Sequence, residues 1–190
     1  MSDERWRLFV AVPIGEELRG ALRDAVAGWG TDEQVEGLRW TDPDGWHVTL
    51  AFLGETDPAA VPELAERLAA VAARHEPTKL RTGGLDAFPT RARARVAWYG
   101  VEDVDGRIAA LSADVSAALS LGATQTLRPH LTLARAQGDH VDLRSWLGSA
   151  SAPAGNLVAD RIELMRSHVG AGPARYETVA TINLGVPDGV

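Results

Sequence analysis

The sequence contains no cysteine, and this absence removes several kinds of site at once. Disulfides, thiolate metal sites and cysteine nucleophiles all require a cysteine sulfur, so the chain can use none of them. No apolar run approaches the roughly 18 residues that span a bilayer, and residues 1–5 are too polar to begin a signal peptide. We therefore expect a cytoplasmic protein with no membrane partner.

Positive charge is scarce as well, because the 190 residues carry a formal net charge of −7 at pH 7. A protein that coats long nucleic acids depends on clustered cationic side chains, so this balance disfavours that class. A site that holds one phosphate at the end of a strand is still compatible with it. Lys79 is the one lysine among 19 basic residues. Genomic base composition explains this bias, although arginine also suits phosphate recognition.

Hydrophobic periodicity predicts strands and helices mixed without a regular βαβ rhythm, which indicates an α+β fold. We expect a loop at Gly83 and Gly84, a hairpin around Pro89, and a turn at 170–173 between the last two strands. No low-complexity linker divides the chain. The predicted strands are 8–12, 46–53, 95–101, 130–134, 157–165 and 176–184, and the predicted helices are 16–29, 57–75, 108–122 and 141–147.

Two segments of the chain repeat the pattern His, apolar, Thr, Leu, Ala. Side chains alternate between the two faces of a strand, so His47 shares a face with Thr49, and His130 shares one with Thr132. Two polar faces of this kind, each within a repeat of secondary structure, predict two lobes that face each other. In the first copy the opposite face is expected to make the core contacts, through Trp46, Val48, Leu50 and Phe52.

This paired motif suits the hydrolysis of a phosphodiester. One group must take a proton from water and another must give a proton to the departing alkoxide, and histidine can do either near its ordinary pKa of about 6.5. Water and leaving group lie on opposite sides of the phosphorus, so histidines on opposing walls fit the reaction. Threonine hydroxyls can donate hydrogen bonds to the non-bridging oxygens. The motif therefore predicts a phosphodiesterase that needs no metal ion.

The remaining histidines are interpreted as structural or solvated. A lone histidine on a strand is more often a surface or core residue, so the duplication is what carries the functional interpretation. His75 ends a helix, where a cation complements the dipole, and His140 lies in a polar loop. His168 could reach a cleft, although we favour a role outside it. A zinc site is conceivable, but no carboxylate at ligand spacing accompanies either motif, so neither a metal nor another cofactor is expected.

Further segments extend the two motifs: Arg-Leu-Phe-Val-Ala-Val at 7–12, Arg-Trp at 39–40, Phe-Leu-Gly at 52–54, Arg-Pro at 128–129 and Leu-Met-Arg-Ser at 164–167. With them the chain resembles, over nearly its whole length, the RNA 2′,3′-cyclic phosphodiesterases (the 2′-5′ RNA ligase family) of the 2H phosphoesterase superfamily. The resemblance implies one domain over residues 1–190 with two pseudo-symmetric lobes around a V-shaped cleft. Each lobe would have an antiparallel sheet and outer helices.

The resemblance also implies an activity and its partners. It implies hydrolysis of an RNA terminal 2′,3′-cyclic phosphate to a 2′-phosphate, with RNA 3′ ends or small nucleotide 2′,3′-cyclic phosphates as substrates, by a monomer. His47 would be the general acid for the leaving 3′-oxygen and His130 the base that activates water. Thr49 and Thr132 would hold the phosphate oxygens.

Three more site residues come from the resemblance. Arg135 matches an arginine that contacts phosphate. Strict strand alternation puts Arg135 on the face opposite His130, so this role requires the strand to end or bulge near Ala134. Phe9 and Trp40 match aromatic positions near the nucleoside, although core packing is the simpler role for both.

Arg91, Arg93 and Arg95 alternate with small residues and would form a basic stripe in an extended segment. We consider whether this stripe lines the mouth of the cleft, against the simpler interpretation of a solvated hairpin edge. Two other functions stay open: a 2H enzyme for another small phosphodiester, and a non-catalytic RNA or nucleotide binder. Two complete proton-transfer groups disfavour the binder.

Overall fold

The computed structural model of the protein describes residues 4–122, 127–168 and 174–185. The helices are α1 (Glu16–Trp29), α2 (Val61–Ala72), α3 (Arg107–Ala118) and α4 (Arg144–Ser149). The strands are β1 (Trp6–Pro13), β2 (Leu38–Trp40), β3 (His47–Thr56), β4 (Thr78–Thr90), β5 (Arg93–Glu102), β6 (His130–Ala136), β7 (Gly155–Ala159), β8 (Arg161–His168) and β9 (Arg175–Asn183).

These strands form one antiparallel sheet in the order β7-β4-β5-β6-β3-β1-β8-β9, with β2 pairing on β6. The two motif strands meet at the centre through one residue pair, Val48 with Leu131. Each half of the sheet then has four strands: β3, β1, β8 and β9 on one side, and β6, β5, β4 and β7 on the other. The predicted α+β class and the two matching halves are confirmed, and the sheets of the two expected lobes are joined into one.

The helices cover each half on its core side. α2 and α3 pack together against β3, β8 and β9, and α1 contacts β7 in the other half. Ser112 of α3 donates a 2.6 Å hydrogen bond to the carbonyl of Leu50, which ties this helix to the back of a motif strand. The apolar face of β3 is therefore buried under a helix, and Leu131 and Leu133 of β6 are buried in the same core. The opposite face of both strands is left for the cleft.

Two sequence predictions about this sheet are wrong. Gly83 and Gly84 lie within β4 rather than in a loop, at an irregularity in its pairing with β5. Gly84 has φ of 76°, a left-handed conformation that glycine adopts at no steric cost, and such bulges resemble loops in sequence.

The predicted strand at 157–165 is in fact two strands in opposite halves of the sheet. The chain breaks its pairing at Asp160, so that β7 pairs with β4 while β8 pairs with β1 and β9. Buried apolar residues alternate with more exposed ones in both pieces, and periodicity alone does not reveal the break. The predicted turn at 170–173 lies outside the described residues.

Helix boundaries differ by small amounts. α1 has the predicted limits, whereas the helix expected at 57–75 begins as a 3-10 turn (Pro58–Ala60) and continues as α2. The Asp57 carboxylate caps that turn by accepting a 2.9 Å hydrogen bond from the amide of Ala59. The helix expected from residue 141 begins later, because Val141 pairs with Ala94 as an isolated bridge.

Candidate active site

A cleft of about 610 Å³ lies between the two halves of the sheet. Both predicted motifs line it, through His47, Thr49, His130 and Thr132. Arg135 lines it as well. The structure thus brings together residues that are far apart in the sequence, as the duplicated pattern predicts.

Each histidine is held by a backbone carbonyl two residues earlier. The Nδ1 atom of His47 lies 2.6 Å from the Gly45 oxygen, and that of His130 lies 2.6 Å from the Arg128 oxygen. A carbonyl can only accept, so Nδ1 carries the hydrogen in both rings and Nε2 has a free lone pair when the ring is neutral. The motif geometry therefore presets the same tautomer in both halves.

The loop before His47 leaves no space for a side chain at Gly45. A Cβ atom there would lie 2.8 Å from a ring carbon of Tyr176. The Tyr176 ring in turn stands edge-on to the His47 ring, with centroids 5.1 Å apart. Glycine at this position allows the carbonyl that holds His47 and the aromatic ring beside it to pack together.

Both imidazoles are surrounded by aromatic rings, which lower their pKa values. Phe9 lies 4.8 Å from the His47 ring, and Phe88 lies 5.1 Å from the His130 ring. Burial in this apolar setting, followed by the positive charges of His130 and Arg135, lowers the pKa of His47 to about 4 against the bond to Gly45, which raises it. Burial also lowers the pKa of His130, and Arg135 adds to the shift. Both histidines are therefore neutral at pH 7 in the free protein.

Thr49 completes the first half of the site. Its hydroxyl lies 3.1 Å from Nε2 of His47, and since that nitrogen is an acceptor in the preset tautomer, the hydroxyl donates. Below it, Thr41 donates a 2.8 Å hydrogen bond to the carbonyl of Thr132 and accepts one of 2.8 Å from Nε1 of Trp46. Thr41 thus connects the two motif strands beneath the cleft.

A bulge in β3 changes which face its side chains occupy. In the pairing with β1, the register advances from Thr49 to Ala51 with Leu50 left over. Leu50 and Ala51 are consequently both buried, and Phe52 turns into the cleft with 72% of its surface exposed. The expectation that Phe52 packs in the core is wrong, because a bulge shifts the alternation by one residue.

β6 has the equivalent bulge at the same place in its motif. In the pairing with β5, the register advances from Thr132 to Ala134 and leaves Leu133 over. Leu133 and Ala134 are both buried, and Arg135 turns into the cleft. The structure therefore has the bulge that the predicted position of Arg135 requires. Arg135 and Phe52 occupy matching positions in the two halves.

The two predicted aromatic residues lie on different faces of the sheet. Phe9 lines the cleft and is only 3% exposed, packed against His47. Trp40 instead stacks with Trp29, at 6.2 Å between ring centroids, and contacts Trp146 edge-on at 6.1 Å. The predicted contact between Trp40 and the nucleoside is therefore wrong, and core packing is its role.

The basic stripe does not line the cleft. Arg91 pairs with Asp86 at 2.8 Å in the hairpin turn, while Arg93 and Arg95 line a separate depression that also contains His140. The strand begins only at Arg93 and pairs irregularly near Arg95, so the three residues do not alternate as in an ideal strand.

Two of the three other histidines pair with carboxylates away from the cleft. Nε2 of His75 lies 2.9 Å from Asp114, and Nε2 of His168 lies 2.8 Å from Glu177. Within the described ranges, no group of three or more His, Cys, Asp or Glu side chains is placed to hold a metal ion. In the same ranges, no helix is long and apolar enough to cross a membrane.

Three residues that line the cleft are not among the site residues predicted from the sequence, although Arg7 and Ser167 lie in segments that carry the family resemblance. Tyr176, Ser167 and Arg7 reach it from β9, β8 and β1. Arg7 pairs directly with Ser167, which pairs with Tyr176. These residues come close to β3 because of the order of the strands in the sheet, and that order cannot be predicted from any local sequence pattern.

Acid is expected to destabilise the protein through His47. Its pKa in the folded protein is about 4, whereas the unfolded chain has the ordinary value of about 6.5. Between these values the unfolded state binds the extra proton, so the free energy of unfolding decreases as the pH falls from 6.5 to about 4. At pH 5 the loss is roughly 2 kcal/mol. Urea titrations at pH 7 and pH 5 measure it. His47→Phe should lose less stability by that amount, and an equal loss in both proteins would contradict the assignment.

Known proteins are similar to this chain in sequence. The family model described as LigT like Phosphoesterase matches residues 12–98. A Geobacillus stearothermophilus protein named RNA 2′,3′-cyclic phosphodiesterase is 34% identical over 98% of this chain, and the chain spans 60% of that protein's length. A protein of the same name from Archaeoglobus fulgidus is 32% identical over 68% of this chain and 72% of its own length.

A solved structure shows the same fold. The crystal structure of E. coli LigT complexed with 3′-AMP superposes with a TM-score of 0.74 and covers 95% of this chain and 99% of the LigT chain. At 22% identity this similarity establishes shared architecture. The relatives, one of them 32% identical and covered over 72% of its length, show that this chain belongs to the LigT-like phosphoesterases, the family of the RNA 2′,3′-cyclic phosphodiesterases.

Proposed function

We propose that this protein hydrolyses the 2′,3′-cyclic phosphate at the end of an RNA to a 2′-phosphate, without a metal ion. The observation that carries the proposal is the placement of two histidines in one cleft, beside Arg135, each with Nδ1 hydrogen-bonded to a backbone carbonyl so that Nε2 is left as the acceptor nitrogen. The names of the relatives indicate which bond is cleaved, because the proteins from G. stearothermophilus and A. fulgidus are both named RNA 2′,3′-cyclic phosphodiesterase. The two halves would act as lobes of one domain, each contributing one histidine.

Proton transfer is divided between the two histidines. One accepts the proton of the attacking water, and the other donates a proton to the departing 3′-oxygen on the opposite side of the phosphorus. Both are neutral in the free site, so the donor must gain its proton as the anionic substrate binds, because a nearby negative charge raises the pKa of an imidazole.

Which histidine donates can be argued in two ways. The resemblance makes His47 the acid and His130 the base. The pKa of about 4 makes neutral His47 the more reluctant donor in the free site. We keep His47 as the acid, with the negative charge of the bound phosphate supplying the opposing shift, and the assignment is tested by the variants described below.

The phosphate is held by the residues between the histidines. Arg135 can donate two parallel hydrogen bonds to phosphate oxygens, and the hydroxyls of Thr49 and Thr132 can donate to the same group. Negative charge increases on these oxygens as water attacks, so donors placed there favour the transition state. The rate enhancement thus combines acid–base catalysis with electrostatic stabilisation.

Phe52 provides the aromatic surface for the terminal base. Its ring lies 6.0 Å from Phe9 and is largely exposed within the cleft. A base stacked on an aromatic ring contributes about 1–3 kcal/mol, so Phe52→Ala should raise KM by roughly tenfold or more, with a smaller change in kcat. Phe52→Tyr, which keeps the ring, is the control. Steady-state kinetics measure both constants, and an unchanged KM in Phe52→Ala would remove Phe52 from substrate binding.

The proposed function is tested with an oligonucleotide that ends in a 2′,3′-cyclic phosphate, incubated with the protein in EDTA. The expected product carries a 2′-phosphate, which chromatography separates from the 3′-phosphate isomer. A requirement for added divalent metal would refute the mechanism. Hydrolysis of other small cyclic phosphates, with none of the RNA end, would reassign the substrate.

A further inference from the structure

Arg39 lies directly opposite Arg135 across the β2–β6 pair. Opposed residues of an antiparallel pair point to the same face of the sheet, with Cβ atoms about 4.5–5.5 Å apart. Arg135 lines the cleft, so the register places Arg39 on the cleft face of the sheet, beside the residues that line the cleft. The neighbours of Arg39 are fixed in the core: Leu38 is 7% exposed, and Trp40 packs between two other indoles.

Neither arginine of this pair forms a salt bridge with the residues that the structure describes. Like charges at opposed positions of a sheet are unfavourable. Among the described residues, no carboxylate lies within 4.0 Å of either guanidinium. By contrast, Arg91 and Arg144 have carboxylate partners at 2.8 Å and 2.6 Å. In a protein with a net charge of −7, two adjacent arginines without acidic partners mark a place for an anion.

The terminal phosphate accounts for one of the two arginines. It is held between the histidines, where Arg135 reaches it. Arg39 lies one strand away from the strand that carries His130. β3 pairs with β6 only at Leu131, and β2 pairs with β6 further along, at residues 134–136. A second phosphate of the same RNA chain would contact Arg39.

We propose that Arg39 binds the phosphodiester that precedes the terminal nucleotide, so that the protein selects RNA ends over single nucleotides. This inference rests on the proposed function, because it needs the terminal phosphate at Arg135. A nucleoside 2′,3′-cyclic phosphate has no second phosphate, whereas a dinucleotide has one. Arg39 therefore contributes to the binding of the longer substrate alone.

The test compares the wild type and Arg39→Gln on three substrates with the same terminal base. They are a nucleoside 2′,3′-cyclic phosphate, the dinucleotide that ends in it, and that dinucleotide with an uncharged methylphosphonate linkage. On the charged dinucleotide, Arg39→Gln should lower kcat/KM by about tenfold, as expected for one lost hydrogen bond to a charged group. The slope of log kcat/KM against log salt should become shallower by about 0.7, the value for one phosphate contact on a single strand. The other two substrates should be unaffected.

Two further variants complete the comparison. Arg39→Lys keeps the charge and should restore the salt slope. Arg107→Gln removes the same charge from the start of α3, on the core side of the sheet, and should change none of the three reactions. An equal loss on all three substrates, or no loss on any of them, would overturn the inference while leaving the proposed function intact. If the wild type cleaves none of the substrates, the proposed function and the inference fail together.

Discussion

Replacement of either His47 or His130 by alanine is expected to lower kcat by about 10²–10⁴. Each variant loses one proton transfer, while Arg135 and the two threonines still hold the phosphate. Affinity for a nucleoside 2′-monophosphate, the proposed product, should therefore largely persist. Single-turnover hydrolysis and equilibrium titration with that nucleotide measure the two quantities. His168→Ala removes a histidine that pairs with Glu177 outside the cleft and should leave kcat unchanged.

A substrate with a different leaving group separates the roles of the two histidines. An aryl phosphodiester that releases p-nitrophenolate needs little protonation of its leaving oxygen. The variant that lacks the general acid should recover much of its activity on this substrate, whereas the variant that lacks the general base should not. Recovery in His47→Ala supports His47 as the acid, and recovery in His130→Ala reverses the assignment. Full activity of either variant on the RNA end would remove that histidine from the mechanism.

The second large effect is expected from Arg135. Arg135→Gln should lower kcat by about 10²–10³, the loss typical of removing a donor that stabilises transition-state charge. Its charge also lowers the pKa values of both His47 and His130. The substitution should therefore raise both histidine pKa values and shift the pH profile of kcat/KM toward higher pH. Loss of a purely structural residue would not produce this shift.

Two variants serve as controls for Arg135. Arg135→Lys keeps the charge but loses the planar fork, so it should retain the wild-type pH profile with an intermediate kcat. Arg93→Gln removes an exposed arginine outside the cleft and should behave as the wild type. A pH profile that does not move in Arg135→Gln would show that its charge does not act on the histidines.

The duplicated motif and the apolar patterns were sufficient to predict the α+β class, the limits of α1 and both central strands. These features depend on local periodicity, which is legible in one stretch of sequence. The direction of Phe52 was not predictable in the same way, because the bulge at Leu50 is defined by the pairing of β3 with β1. The break at Asp160 likewise depends on partners that lie in opposite halves of the sheet.

The position of Arg135 shows the same limit. From the sequence, Arg135 could face the cleft only if a bulge lay near Ala134, and the register of β6 against β5 is what defines that bulge. Tyr176 was not predicted as a cleft residue, and Trp40 was wrongly placed near the nucleoside, for a related reason. The position of each ring depends on packing between distant segments. Chemistry that repeats in sequence was therefore predictable, and its supporting residues were not.

The matching bulges of β3 and β6 have a consequence for the direction in which a substrate lies. The two motif strands are related by an approximate two-fold axis, and a fully symmetric site would accept a phosphodiester in either of two orientations. At the positions that follow the bulges the symmetry is broken, because one wall presents the ring of Phe52 and the other the guanidinium of Arg135. A nucleotide has one aromatic end and one anionic end, so only one orientation satisfies both walls. In the proposed function, this difference between two matching positions gives the pseudo-symmetric site a direction, and with it distinct tasks for the two histidines.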